Sequence, residues 1–132
     1  MTVGFTNGCF DVLHVGHVEM LKFCKLHCAV LVVGIDTDRR VAEMKGDDRP
    51  VNSAEDRVKM LLSIRYVDEV VIFDTAKELE SIVEKINPEI MVVGREYENK
   101  HVIGSAWAKK LLFFERLDEY STTKTLQHLG YR

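Results

Sequence analysis

The sequence predicts one α/β domain spanning residues 1–132, with a five-stranded parallel sheet and helices on both faces. Strand-length apolar runs alternate with helical periodicities along the whole chain. One run, residues 29–35, is apolar throughout apart from a glycine, as expected of a strand covered on both sides. Polar segments with glycine in or beside them follow the first, second and fourth runs, at 7–17, 36–38 and 94–97. In parallel sheets ligands bind beyond the carboxyl ends of strands, where the strand order reverses, so these three segments are the expected walls of a site.

Taken in order, residues 3–6 form the first strand and 16–26 a helix, with Val18, Leu21, Cys24 and Cys28 on one stripe. Residues 29–35 are the second strand, followed by a short helical turn over 38–44 and a polar loop over 45–52. Ser53 is a candidate N-cap with Asp56 three residues on, opening a helix that carries Val58, Leu61 and Leu62. Residues 70–73 are the third strand. Leu79, Ile82, Val83 and Ile86 then repeat at i, i+3, i+4 and i+7, and Asn87-Pro88 stops that helix. The fourth strand, 90–93, is closed by Gly94 and followed by a polar loop through Lys100. A short helix over 105–109 leads into the fifth strand, 111–114, and Ser121 caps a last helix over 122–129.

With 46% hydrophobic residues, 30% charged residues and a net charge of −3, the chain suits one domain with its own core. No basic stripe interleaved with aromatics is present, which argues against nucleic acid as a partner. The apolar runs are strand-length and far short of a membrane span. The chain enters a strand at once, with no secretory leader pattern, so the expected location is the cytoplasm. Three cysteines, Cys9, Cys24 and Cys28, do not make a disulfide framework. Cys24 and Cys28 continue an apolar stripe and read as buried side chains rather than half a zinc site. Cys9 precedes the histidines but has no dedicated base beside it.

The most informative segment is His14-Val15-Gly16-His17. Two imidazoles three residues apart at a helix start project to one side, and Gly16 between them leaves the backbone open to a bulky anion. The first turn adds free amides and the positive end of the helix dipole, so the segment can cradle a phosphate chain. The alternative is one capping and one packed histidine.

Thr6-Asn7-Gly8-Cys9-Phe10-Asp11, then His14-Val15-Gly16-His17, with Ser121-Thr122-Thr123-Lys124 near the far end, resemble the cytidylyltransferase-like family of nucleotidyltransferases over essentially the whole chain. The resemblance implies a Rossmann-like sheet, here expected in the order 3-2-1-4-5, with the site between the first and fourth strands. It also implies a divalent metal, magnesium by default, and a homodimer, for which residues 65–70 are a candidate contact. The implied reaction moves a nucleotidyl group from a nucleoside triphosphate to a small phosphorylated acceptor and releases pyrophosphate. Two branches compete. Residues 7–11, 45–52 and 103–105 are similar to the adenylyltransferase part of ADP-heptose synthase, which uses ATP and a heptose-type sugar 1-phosphate. Residues 64–70 and 116–124 are nearer to glycerol-3-phosphate cytidylyltransferase, although Glu119 and Tyr120 replace its Gly-Ile. The arginine segment at 116 adjoins the nucleotide in that family, so the sequence favours CTP and an acceptor such as glycerol 3-phosphate.

Carried over position by position, the resemblance makes His14, His17, Lys45 and Arg116 the catalytic set. Asn7, Gly8, Cys9, Phe10, Gly16, Gly94, Arg95, Ser121, Thr122 and Thr123 are expected on the nucleotide. Asp11, Asp38 and Arg57 are expected on the acceptor side, with Asp11 also the candidate metal ligand. Plainer readings stand beside these: Asp11 as a cap of the helical turn, Lys45 and Arg49 as solvated loop charges, Arg57 facing water, and Tyr97 and Trp107 as packing. His27, His101 and His128 have no evident partner in the sequence, so surface or packing roles are expected. A silent nucleotide-binding domain is the alternative outside catalysis; the full set of phosphate-binding residues argues against it.

Overall fold

In the computed structural model, which describes residues 1–115, five parallel strands form one sheet in the order β3-β2-β1-β4-β5. Along the chain the elements are β1 Val3–Gly8, α1 Val15–Leu26, β2 Val30–Asp36, α2 Asp38–Lys45, α3 Ala54–Leu62, β3 Glu69–Phe73, α4 Ala76–Ile86, β4 Ile90–Gly94 and β5 Lys110–Phe114. Both the expected order and the parallel direction are present. The last helix expected at 122–129 lies outside the described residues.

The alternation of side chains along each strand divides the core in two. Leu31, Val33 and Ile35 of β2 and Ile90 and Val92 of β4 pack with Leu21 and Cys24 of α1 and Leu61 of α3. Their neighbours Val32 and Met91 point the other way and join Phe5, Phe73, Leu79 and Val83, the last two from α4. The two-sided covering expected of residues 29–35 follows from this division. Gly34 sits on the second face, where a Cβ would come within 2.9 Å of the Phe5 ring. Its lack of a side chain is therefore a packing requirement.

Caps follow the expected chemistry: Ser53 accepts from the Asp56 amide, Thr37 from Arg40 and Thr75 from Glu78. Asn87 ends α4 in the left-handed region at φ 46°. Two boundaries differ from expectation. β1 continues two residues past Thr6, because its pairing with β2 runs on to Gly8 opposite Ile35. The expected helix at 105–109 is only a 3-10 turn, Ser105–Trp107. The amides of Lys109 and Lys110 bond Pro88 and Glu89, which draws the chain into β5 before a second turn can form. Among the described residues no helix is long and apolar enough to cross a membrane.

Candidate active site

The sheet opens where the expected crevice lies. β1 pairs with β2 along its whole length and β4 with β5 likewise, but β1 and β4 pair only at Gly4 with Ile90 and Phe5 with Met91. Beyond that point one side chain joins the two strands: the buried Thr6 hydroxyl donates to the Val92 carbonyl at 2.8 Å. Above it the strands diverge, and the gap is a cleft of about 460 Å³ lined by Thr6, Asn7, Gly8, Val93 and Gly94 on its floor.

His14, Gly16 and His17 form one wall. His14 is the N-cap of α1, in extended conformation, and Val15 and Gly16 are its first two helical residues. The amides of those two residues have no carbonyl within the helix to bond and stand at its open positive end. The imidazoles stack with centroids 3.8 Å apart and planes 27° from parallel. The His14 backbone amide donates to His17 Nδ1 at 3.2 Å. An accepting Nδ1 carries no proton, so a neutral His17 holds its hydrogen on Nε2 and is a donor there. Phe10 backs the His17 ring at 5.2 Å. Phe10 itself is held at φ 48°, a left-handed conformation that an aromatic residue adopts only under constraint from its surroundings. The motif is thus neither a bare cap nor a packed pair: the His14 carbonyl receives the first helical amides while its own amide orients the His17 imidazole.

Lys45, at the end of α2, lines the same cleft as the histidines, as do Cys9 and Phe10. Four expected residues take other places. Asp11, expected on the acceptor or on a metal, is 1% exposed and fully engaged. Its carboxylate accepts from the Val51 and Asn52 amides, both at 2.8 Å, and pairs with Arg49. It anchors the 45–52 loop and does not line the cleft. Arg57, expected to face acceptor or water, is completely buried. It donates to the carbonyls of Asn52, Cys9 and Asp36 and to the Asp38 carboxylate. Asp38 Oδ1 accepts from that guanidinium and from the Ala54 amide. These three residues bind the loops beside the cleft to one another and do not line it. Arg95 likewise turns away, pairing with Glu98 and Glu115. Arg116, Ser121, Thr122 and Thr123 lie outside the described residues.

The cleft is also lined by Asp36, Glu96 and Tyr97 from the expected wall segments 36–38 and 94–97, although Tyr97 itself was expected to pack. Arg40, which the sequence left unassigned, and His101, for which a surface or packing role was expected, line it too. Asp36, Glu96 and Tyr97 were signalled by their place beyond the carboxyl ends of strands, whereas Arg40 and His101 carried no such signal. No described group of three acidic, histidine or cysteine side chains could hold a metal ion. Asp11, the candidate metal ligand, is committed to the loop.

Burial, and then the adjacent Asp36 charge, push the Cys9 thiol up to about 11, and burial pushes Cys24 up to about 12. At neutral pH the Cys9 thiol is protonated and unsuited to nucleophilic attack. Because the folded state holds these protons more tightly than the unfolded chain, the associated stability is complete below the ordinary thiol value. It is lost as pH rises through 11 to 12. Thermal unfolding is therefore expected to show no thiol-linked loss of Tm up to about pH 9 and a fall above it. Iodoacetamide at pH 7.5 should label Cys9 far more slowly in the native protein than in urea. Rapid native labelling of Cys9 would contradict the assignment.

A cytidylyltransferase-like family model matches residues 5–127. The chain belongs to the cytidylyltransferase-like family. Among curated relatives it is 42% identical over 128 residues to bifunctional protein HldE of Campylobacter fetus, covering 97% of this chain and 28% of that protein. It is 46% identical over 127 residues to HldE of Sulfurimonas denitrificans, covering 96% and 26%. The chain thus spans about a quarter of the length of these relatives. Its fold is similar to that of a lipopolysaccharide core biosynthesis protein from Thermoplasma volcanium. That structure has a TM-score of 0.71 at 22% identity, over 89% of this chain and 99% of the other. Pantothenate synthetase from Thermus thermophilus aligns with a TM-score of 0.58 at 11% identity, over 99% and 71%. For this family member, the crevice between β1 and β4 lies where the sequence placed the site.

Proposed function

We propose that this chain transfers an adenylyl group from ATP to a heptose-type sugar 1-phosphate and releases pyrophosphate. The observation that carries the reading is the orientation of His17 at the split between β1 and β4, with Lys45 across the same cleft. In an in-line displacement an oxygen of the acceptor's phosphate forms a bond to the α-phosphorus. The bond from that phosphorus to the bridging oxygen breaks, and pyrophosphate leaves with the electron pair. The attacking phosphate is already ionised at neutral pH, so no general base is needed. The protein's part is to place the two phosphates and to offset the charge that grows on the α-phosphate and leaving group. His17 Nε2–H, the amides at the start of α1 and the Lys45 ammonium are suited to that task. Magnesium would enter as the ion carried by the nucleoside triphosphate, offsetting charge on its phosphates.

ATP now takes the place of CTP as the favoured nucleotide. The preference for CTP rested on the segment at 116–124, which lies outside the described residues. The 45–52 segment, similar to the ADP-heptose branch, is tied to the cleft-forming loops through Asp11 and Arg57. The HldE relatives weigh in the same direction. A homodimer remains part of the proposal; residues 65–70 lead into β3, an edge strand of the sheet.

The test is pyrophosphate release over ATP, CTP, GTP and UTP with magnesium, each with a heptose 1-phosphate and with glycerol 3-phosphate. ATP with the heptose phosphate is expected to exceed CTP with glycerol 3-phosphate by about tenfold or more, roughly 1.4 kcal/mol in the barrier. The reverse order restores the cytidylyl reading. Absence of both turnover and nucleotide-induced thermal stabilisation would favour a silent domain.

A further inference from the structure

Arg40 is neither part of the histidine motif nor of the segments that carry the family resemblance, yet it stands on the cleft wall. Its Nε donates to Asp36 Oδ1 at 2.7 Å, and its guanidinium lies 5.6 Å from the centre of the Phe73 ring. Both partners sit at carboxyl ends of strands, Asp36 on β2 and Phe73 on β3. The guanidinium is thus held along one edge and across one face. Among the described residues its two Nη nitrogens take no hydrogen bond. Arg40 and Lys45 are the two Arg or Lys side chains among the described residues lining the cleft, and both come from α2.

An in-line displacement needs two anion sites on opposite sides of the α-phosphorus, one for the departing pyrophosphate and one for the attacking phosphate. The imidazoles and helix amides beside β1 supply the first. The second must lie across the cleft, on the side of β2 and β3. We infer that Arg40, held by Asp36 and Phe73, binds the phosphate of the acceptor through its Nη edge and orients it for attack. A planar fork fixed on one edge can engage two phosphate oxygens in parallel while leaving a third to face the α-phosphorus. Asp36 serves as the positioning residue: it fixes the fork and leaves the lateral Nη edge for the ligand. The inference deepens the proposed function and rests on it for the identity of the acceptor, but the phosphate site itself is testable separately.

The experiment is a calorimetric titration of inorganic phosphate into the full chain saturated with α,β-methylene ATP. Wild type, Arg40→Gln, Arg40→Lys and Arg39→Gln are compared. Arg39 is adjacent on α2 but is engaged with Asp74 and Glu43 away from the cleft, so its variant controls for loss of surface charge. Phosphate binding is expected to weaken by about tenfold or more in Arg40→Gln. It should fall between that and wild type in Arg40→Lys, which keeps the charge without the fork, and be unchanged in Arg39→Gln. The affinity for the methylene nucleotide should stay within about twofold in all four, because Arg40 serves the acceptor. Equal phosphate affinity in wild type and Arg40→Gln, or no phosphate binding by wild type, overturns the inference. So does a parallel loss of nucleotide affinity in a folded Arg40→Gln protein. If the ATP analogue itself fails to bind, the reading of the nucleotide falls, and the same titration with α,β-methylene CTP decides Arg40.

Discussion

Replacing His17 by alanine is expected to lower kcat for pyrophosphate release by about 10²- to 10³-fold, the usual cost of removing one preorganised donor to developing charge. The fold should survive. His17 is partly exposed at the cleft and its ring packs against Phe10, while the buried stripe of α1 is Leu21 and Cys24. Loss of folding stability should stay within about 1 kcal/mol. The KM for ATP should change less than kcat, because the imidazole acts where charge accumulates during displacement. Steady-state kinetics with a parallel thermal melt measure both quantities. Near-normal kcat in a folded variant would remove His17 from the mechanism.

The largest expected effect on stability belongs to Arg57. Methionine at this position fills similar space but leaves the carbonyls of Cys9, Asp36 and Asn52 without their donors and releases the Asp38 carboxylate. Each buried acceptor left unmet costs about 1–3 kcal/mol, and three carbonyls lose their donor together, whereas the half-exposed Asp38 carboxylate regains water. A destabilisation of about 3–5 kcal/mol is expected on that basis, read from urea midpoints at unchanged slope. Arg57→Lys distinguishes a fork from a simple charge. One ammonium cannot span partners on three separate segments, so lysine should recover less than half of the loss, about 1–2 kcal/mol. Full recovery by lysine would reduce the network to a single ion pair. Because Cys9 lies on the cleft wall and Asn52 in the neighbouring loop, activity should fall in the methionine variant even where it remains folded.

The strands, their parallel direction and the polar segments at their carboxyl ends were legible because strand-length apolar runs and polar strand ends are local signals, whereas the sheet order and the crevice between the first and fourth strands came from the family resemblance. His14 and His17 were legible as a local signal too, being close in sequence and joined by one helical turn. The partners of Asp11 and Arg57 were not legible because they are distant: Asp11 meets loop amides 40 and 41 positions away, and Arg57 reaches a carbonyl 48 positions away. Nothing in the sequence distinguishes an arginine in the first turn of an amphipathic helix that faces water from one that is completely buried. Arg40 was missed for a related reason. Its i−4 partner Asp36 is visible in the sequence, but the Phe73 ring that holds the other face comes from a separate strand.

The central claim is that the imidazole pair and the α2 cations act on one polyphosphate held at the split between β1 and β4. A crystal structure of the full chain with α,β-methylene ATP and magnesium tests it most directly. Phosphate oxygens are expected within hydrogen-bond distance of His17 Nε2 and of the Gly16 amide, with Lys45 closing over the same group. A nucleotide bound with its phosphates away from α1 and both imidazoles untouched would contradict it.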